Sequence, residues 1–115
     1  MTVTHVFAGI PVADRDAAVE WYERLVGRAP DLIPNEDEAA WRMAEAAGWI
    51  YVLVDHERVG SGFLTLLVDD IDAFVGGLTQ RGIVSGPIEV MDNGVRFVYV
   101  TDPDGNRLKV GQVPG

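Results

Sequence analysis

The sequence has no cysteine among its 115 residues. That excludes a disulfide framework, a thiolate metal site and a cysteine nucleophile. It has no apolar run of the ~18 residues that a membrane-spanning helix requires. The opening "MTVTHVFAG" lacks a basic region followed by a long apolar stretch, so it is not read as a signal peptide. Basic residues are few: nine Lys and Arg stand against eighteen Asp and Glu, a net charge of −9. A chain this acidic repels phosphate backbones, so neither nucleic acid nor a membrane is expected as a partner. The plainest role of the charge is solubility, and a weak long-range pull on cationic ligands comes with it. A cytoplasmic location is compatible with the missing cysteines.

What is present fits one domain, residues 1–115, since 48% of the chain is hydrophobic and a core can form without cross-links. The chain also resembles itself. "VADRDAAVEWYERLVG" (12–27) aligns with "VDDIDAFVGGLTQRGI" (68–83) at an offset of 68 − 12 = 56. Val12/Val68, Asp14/Asp70, Asp16/Asp72, Ala17/Ala73 and Val19/Val75 are identical in that frame. The same frame pairs Phe7 with Phe63, Trp41 with Phe97 and Val54 with Val110. One offset along the whole chain indicates two copies of a module.

Each copy reads as a strand, a helix and three more strands. "HVFAGIPV" and "FLTLLV" are rich in β-formers. Asp14 and Asp70 then cap helices, because a carboxylate accepts from free N–H groups of a first turn. Ala17, Trp21 and Leu25 are expected on the buried face of the first helix, with Gly27 as its stop. Ile71, Phe74, Val75 and Leu78 form the second face, and Gly82 ends it. Later strands are expected at 30–34, 38–45 and 49–55, and again at 83–91, 95–101 and 106–112. Asn93-Gly94 signals a two-residue hairpin and Asp102-Pro103-Asp104-Gly105 a tight turn. The first module covers about 1–55, the linker "DHERVGSG" 55–62 and the second module about 63–115. The fold class is α+β: two βαβββ modules form curved mixed sheets with helices on the outer side.

The doubled module, the "V-x-D" junction of strand and helix, "EWYERLVG" in the first helix and the closing "DPDGNRLKV" resemble the vicinal oxygen chelate superfamily. Glyoxalase I, extradiol dioxygenases, fosfomycin-modifying enzymes and bleomycin resistance proteins belong to it. The resemblance covers nearly the whole chain, and "DPDGN" is its most specific piece. It implies metal ligands at three inward positions in the metal-dependent members. One lies seven residues before the aspartate of the first helix, here Phe7. One lies at the matching place of the second module, here Phe63. The third is a carboxylate three residues after the asparagine of "DPDGN", here Lys109. Phenylalanine has no lone pair, and lysine must lose a proton to ligate. No metal and no cofactor are therefore expected at that place. The alternative is a displaced site built from His5 and a carboxylate, although one histidine is not a ligand set.

If Phe7, Phe63 and Lys109 point inward, strand alternation turns Gly9, Thr65, Leu67 and Arg107 inward too. The family pattern adds Phe97 and Tyr99, and the offset of 56 then brings in Trp41, Met43, Tyr51 and Leu53. The opposite parity is aliphatic and should lie beneath the helices. No carboxylate is expected inside. The candidate ligand-binding residues are Phe7, Trp41, Tyr51, Phe63, Phe97, Tyr99 and Lys109, with no catalytic residue assigned. The cleft is either open to a ligand or filled by its own side chains. Lys109 either snorkels to water, anchors an anionic or carbonyl group, or acts as an amine of depressed pKa beside Arg107.

Two functions follow. One is a metal-independent protein that holds an aromatic or cationic small molecule, similar to bleomycin resistance proteins, whose use is drug sequestration. The other is a glyoxalase-like or dioxygenase-like enzyme with a displaced metal or metal-free acid–base chemistry. The resemblance also implies a homodimer.

Overall fold

The computed structural model describes residues 1–45 and 47–115. In the first module, β1 (Val6–Val12) leads into α1 (Arg15–Val26), followed by β2 (Leu32–Asn35), β3 (Glu38–Ala44) and β4 (Gly48–Val54). The second module runs β5 (Phe63–Leu67), α2 (Ile71–Gln80), β6 (Glu89–Val90), β7 (Arg96–Thr101) and β8 (Arg107–Gln112). Each module makes a four-stranded sheet, β1-β4-β3-β2 and β5-β8-β7-β6. The pairs β1/β4 and β5/β8 are parallel and the rest antiparallel. The architecture is the expected α+β doubling.

Both helix starts form as their aspartates dictate. Asp14 accepts from the Ala17 N–H at 2.9 Å and Asp70 from the Ala73 N–H at 3.0 Å. Gly27 closes α1 at φ 91°, a conformation glycine takes without strain. The buried face of α1 is Ala18, Trp21, Tyr22 and Leu25, whereas Ala17 is exposed. The face is rotated from the expected one because Tyr22 points straight into the core. Its hydroxyl donates to the Asp102 carboxylate at 2.7 Å.

The expected strand over 83–91 shrinks to Glu89–Val90. Pro87 has no N–H to donate. Upstream of it, one bond from the Gly86 N–H to the Tyr99 carbonyl holds the segment to β7. The Asn93-Gly94 turn has a longer loop than two residues: the Met91 N–H donates to the Val95 carbonyl, and Gly94 at φ 87° donates back to the Met91 carbonyl.

One aliphatic core spans both modules. Ile10, Val12, Ile50 and Val52 of the first sheet pack with Leu78, Val100 and Leu108 of the second. The "DPDGN" turn fastens this junction. Among the described residues, Asp102 and Asn106 are the buried polar ones, at 4% and 1% exposure. Asn106 Nδ2 donates to the Pro11 carbonyl of β1 and to Asp102 Oδ2, both at 2.8 Å. Its Oδ1 accepts from the Gly62 N–H at 2.7 Å. Asp102 Oδ1 accepts from the Asp104 and Asn106 N–H groups. The carboxylate thus meets four donors, the condition under which a buried charge is tolerated. Burial, then the negative charge of Asp102, push the Tyr22 phenol far above its ordinary pKa, so it remains a donor.

Candidate functional site

Side chains on the sheet faces away from the core divide into two sets. On the first sheet, Phe7 of β1 lies beside Trp49 of β4, and Gly9 lies beside Tyr51. Phe7 stacks on Trp49 with centroids 5.3 Å apart and meets Tyr51 edge-on at 6.2 Å. Tyr51 folds over Gly9, where even a Cβ would come within 3.0 Å of its Cζ and Oη. Phe7 and Tyr51 wall an open groove of about 560 Å³, solvent-open space included, lined also by Leu32, Pro34, Glu38 and Ala40. Phe7 is 48% exposed to it.

On the second sheet, Phe97 and Tyr99 of β7 meet edge-on at 5.5 Å. The Arg107 guanidinium lies 4.3 Å over the Tyr99 ring, and Lys109 Nζ lies 4.5 Å over the Phe97 ring. Phe63 is 61% exposed on β5, beside Arg107. Lys109 is the only lysine of the sequence, and among the described residues it has no carboxylate partner.

The structure therefore brings Phe7 and Tyr51 together, and Phe97, Tyr99 and Lys109 together, on different sheets. Trp41 joins neither. It is fully buried in the core beside Tyr22, and its Nε1 donates to the Arg28 carbonyl at 2.9 Å. Met43 also packs against the core. The reason is a change of offset along the repeat. Phe7 and Phe63 differ by 63 − 7 = 56 and occupy matching places. Through the pairs Phe7/Trp49 and Phe63/Arg107, Tyr51 matches Lys109, an offset of 109 − 51 = 58. Tyr51 then pairs with Ala40 and Lys109 with Tyr99, so β3 and β7 differ by 99 − 40 = 59. An odd difference reverses strand parity. Trp41 corresponds to buried Val100, and Phe97 corresponds to Glu38.

That correspondence corrects a second expectation, that no carboxylate lies inside. Glu38 lines the first groove. Its Oε1 accepts from Asn35 Nδ2 at 2.6 Å, and Asn35 Oδ1 accepts in turn from the Asp37 N–H, which fixes the amide's orientation. Trp49 was within reach of the sequence, being two residues before Tyr51 on one strand. Glu38 and Ala40 were not, because nothing in the sequence marks the step from 56 to 59.

The three positions at which the superfamily resemblance implies ligands do not fit a divalent ion. Two are phenyl rings, and the third is an ammonium held over a ring. His5 is exposed and faces the Thr4 hydroxyl, while His56 lies in the exposed turn before β5. Among the described residues, no three His, Asp or Glu side chains stand close enough to share a metal. No helix among them is long and apolar enough to cross a membrane.

Known proteins with this architecture share it over nearly the full length. A glyoxalase/bleomycin resistance protein from Catenulispora acidiphila is 39% identical, with a TM-score of 0.88 over 96% of this chain and 98% of that one. TnmS3, an antibiotic binding protein from Streptomyces, is 26% identical, with a TM-score of 0.79 over 99% of both chains. A bleomycin-binding protein, solved with bleomycin, is 18% identical with a TM-score of 0.80 over 96% and 98%, a likeness of fold. No curated protein sequence matches the chain. The family model for the glyoxalase/bleomycin resistance protein/dioxygenase superfamily matches residues 2–110. A doubled βαβββ chain with its "DPDGN" fastening, matched by that model over almost every residue, belongs to this superfamily.

Proposed function

We propose that this protein is a metal-independent binder of an aromatic or cationic small molecule, and that drug sequestration is its use. The observation that carries the reading is the exposed aromatic wall at Phe7 and Tyr51, in a groove large enough for a fused-ring ligand. Phe7, Phe63 and Lys109 at the implied ligand positions support independence from metal. Kinship with TnmS3, an antibiotic binding protein, supports sequestration. The same reading has the protein act as a homodimer in the cytoplasm. Solvent-facing Phe63 and Leu67, at 61% and 65% exposure, supply apolar surface for the pairing.

The test is calorimetric titration with a panel of fused-ring antibiotics and dyes, with and without a chelator, followed by mass analysis of the recovered ligand. Saturable binding, indifferent to chelator and with the ligand unchanged, is expected. Loss of binding on chelation, or conversion of the ligand, would overturn the proposal.

A further inference from the structure

The two solvent-side faces invert each other's polarity. On the second face the rings, Phe97 and Tyr99, stand on β7 and the cations, Arg107 and Lys109, on β8. Each ring there already carries a cation from its own chain, at 4.3 and 4.5 Å. On the first face the rings stand on β1 (Phe7) and β4 (Trp49, Tyr51), and the places of β3 that match Phe97 and Tyr99 hold Glu38 and Ala40. Arg42 covers Trp49 at 5.8 Å, but no such contact covers Phe7 or Tyr51 among the described residues. Glu38 is also without a cationic partner there. Its single described bond, from Asn35, uses one of about four acceptor sites of a carboxylate. That bond holds the charge at the groove wall without neutralising it.

An electron-rich ring face and an unpaired carboxylate bordering one groove attract the same kind of group. A flat cation gains from both, through the ring quadrupole and through the charge. A neutral ring of equal shape gains only the stacking. On the second face an incoming cation would have to displace Arg107 or Lys109. We infer that Glu38 is the specificity-determining residue of the first-module groove and makes it selective for planar cations. This rests on the proposed aromatic binding and names the ligand class.

Equilibrium dialysis at pH 8 and 150 mM salt tests it with two probes of similar size, the 10-methylacridinium cation and neutral 9-methylacridine. The wild type should bind the cation about 5- to 10-fold more tightly. Glu38→Gln keeps an oxygen for Asn35, so the fold should be retained, and it should reduce the preference to less than about twofold through loss of cation affinity alone. Glu57→Gln, in the exposed turn between the modules, changes net charge equally and should leave the preference intact. Phe7→Ala should weaken both probes, locating them in this groove.

A preference that survives Glu38→Gln, or that Glu57→Gln removes equally, overturns the assignment. So does wild-type binding of both probes with equal affinity, which leaves the aromatic reading standing. Binding of neither probe overturns the aromatic reading as well.

Discussion

Replacing Asn106 by alanine should loosen the junction of the modules. The side chain makes three bonds of 2.7–2.8 Å, to the Pro11 carbonyl, the Asp102 carboxylate and the Gly62 N–H. At 1% exposure none of these partners finds water in its place. A net loss of about 1–1.5 kcal/mol per bond gives roughly 3–5 kcal/mol. Against the usual 5–15 kcal/mol for a domain, that is about a fifth of the total or more. The assay is urea unfolding at pH 7, followed by far-ultraviolet circular dichroism and by tryptophan fluorescence. Tyr22→Phe provides an internal check, because Tyr22 and Asn106 donate to the same oxygen, Asp102 Oδ2. The two losses should be non-additive by at least about 0.5 kcal/mol. A loss below 1 kcal/mol for Asn106→Ala, or strict additivity with Tyr22→Phe, would refute the view that this turn fastens the modules.

Other outcomes follow from single contacts. Trp41→Phe should cost about 1–3 kcal/mol, through a lost bond to Arg28 and a smaller ring, and leave the ligand affinity of the folded protein unchanged. Denaturation and titration of one sample check both halves. Gly9→Ala should push the Tyr51 ring into the groove and weaken a fused-ring ligand several-fold while altering stability by less than about 1 kcal/mol, seen by calorimetry. The Asp72–Arg96 fork, two bonds of 3.0 Å tying α2 to β7, holds the Asp72 carboxyl below its ordinary pKa. A lowered folded pKa means its contribution is present above the unfolded value near 3.9 and fades as pH falls through the folded one. The difference in urea midpoint between wild type and Asp72→Asn should therefore be full at pH 7 and shrink steadily as the pH falls below the unfolded value, and a gap independent of pH would count against the fork.

The fold was legible because its signals are local or repeated. Capping aspartates, stop glycines and the "DPDGN" turn each act within a few residues, and β1 and β5 keep one spacing from their helices. The site was half legible. Alternation places Phe7, Tyr51, Phe63, Phe97, Tyr99 and Lys109 on solvent-side faces. It fails at β3, where three more residues of offset turn Trp41 inward and Glu38 outward. A period of two cannot survive an odd insertion whose place is unmarked. Nor does the sequence say that the residues lie on two sheets, since inter-strand neighbours are set by pairing rather than order. The buried role of Tyr22 was hidden for a related reason: its partner, Asp102, lies 80 residues away.

The β3 register has a consequence for how the doubled chain diverges. Ala39 and Trp41 are buried, as Val98 and Val100 are on β7, while Glu38 and Ala40 replace Phe97 and Tyr99 on the reverse of the same ribbons. One side of each ribbon is answerable to folding, and the other, covered Ala40 apart, to the recess it borders. Substitutions can therefore accumulate on either recess without disturbing the scaffold beneath. The copies need not remain alike in order to remain joined: an arginine–tyrosine and lysine–phenylalanine surface on one half coexists with an acid-edged aromatic slot on the other. A duplicated frame of this kind offers two independently adjustable recognition surfaces on one foundation.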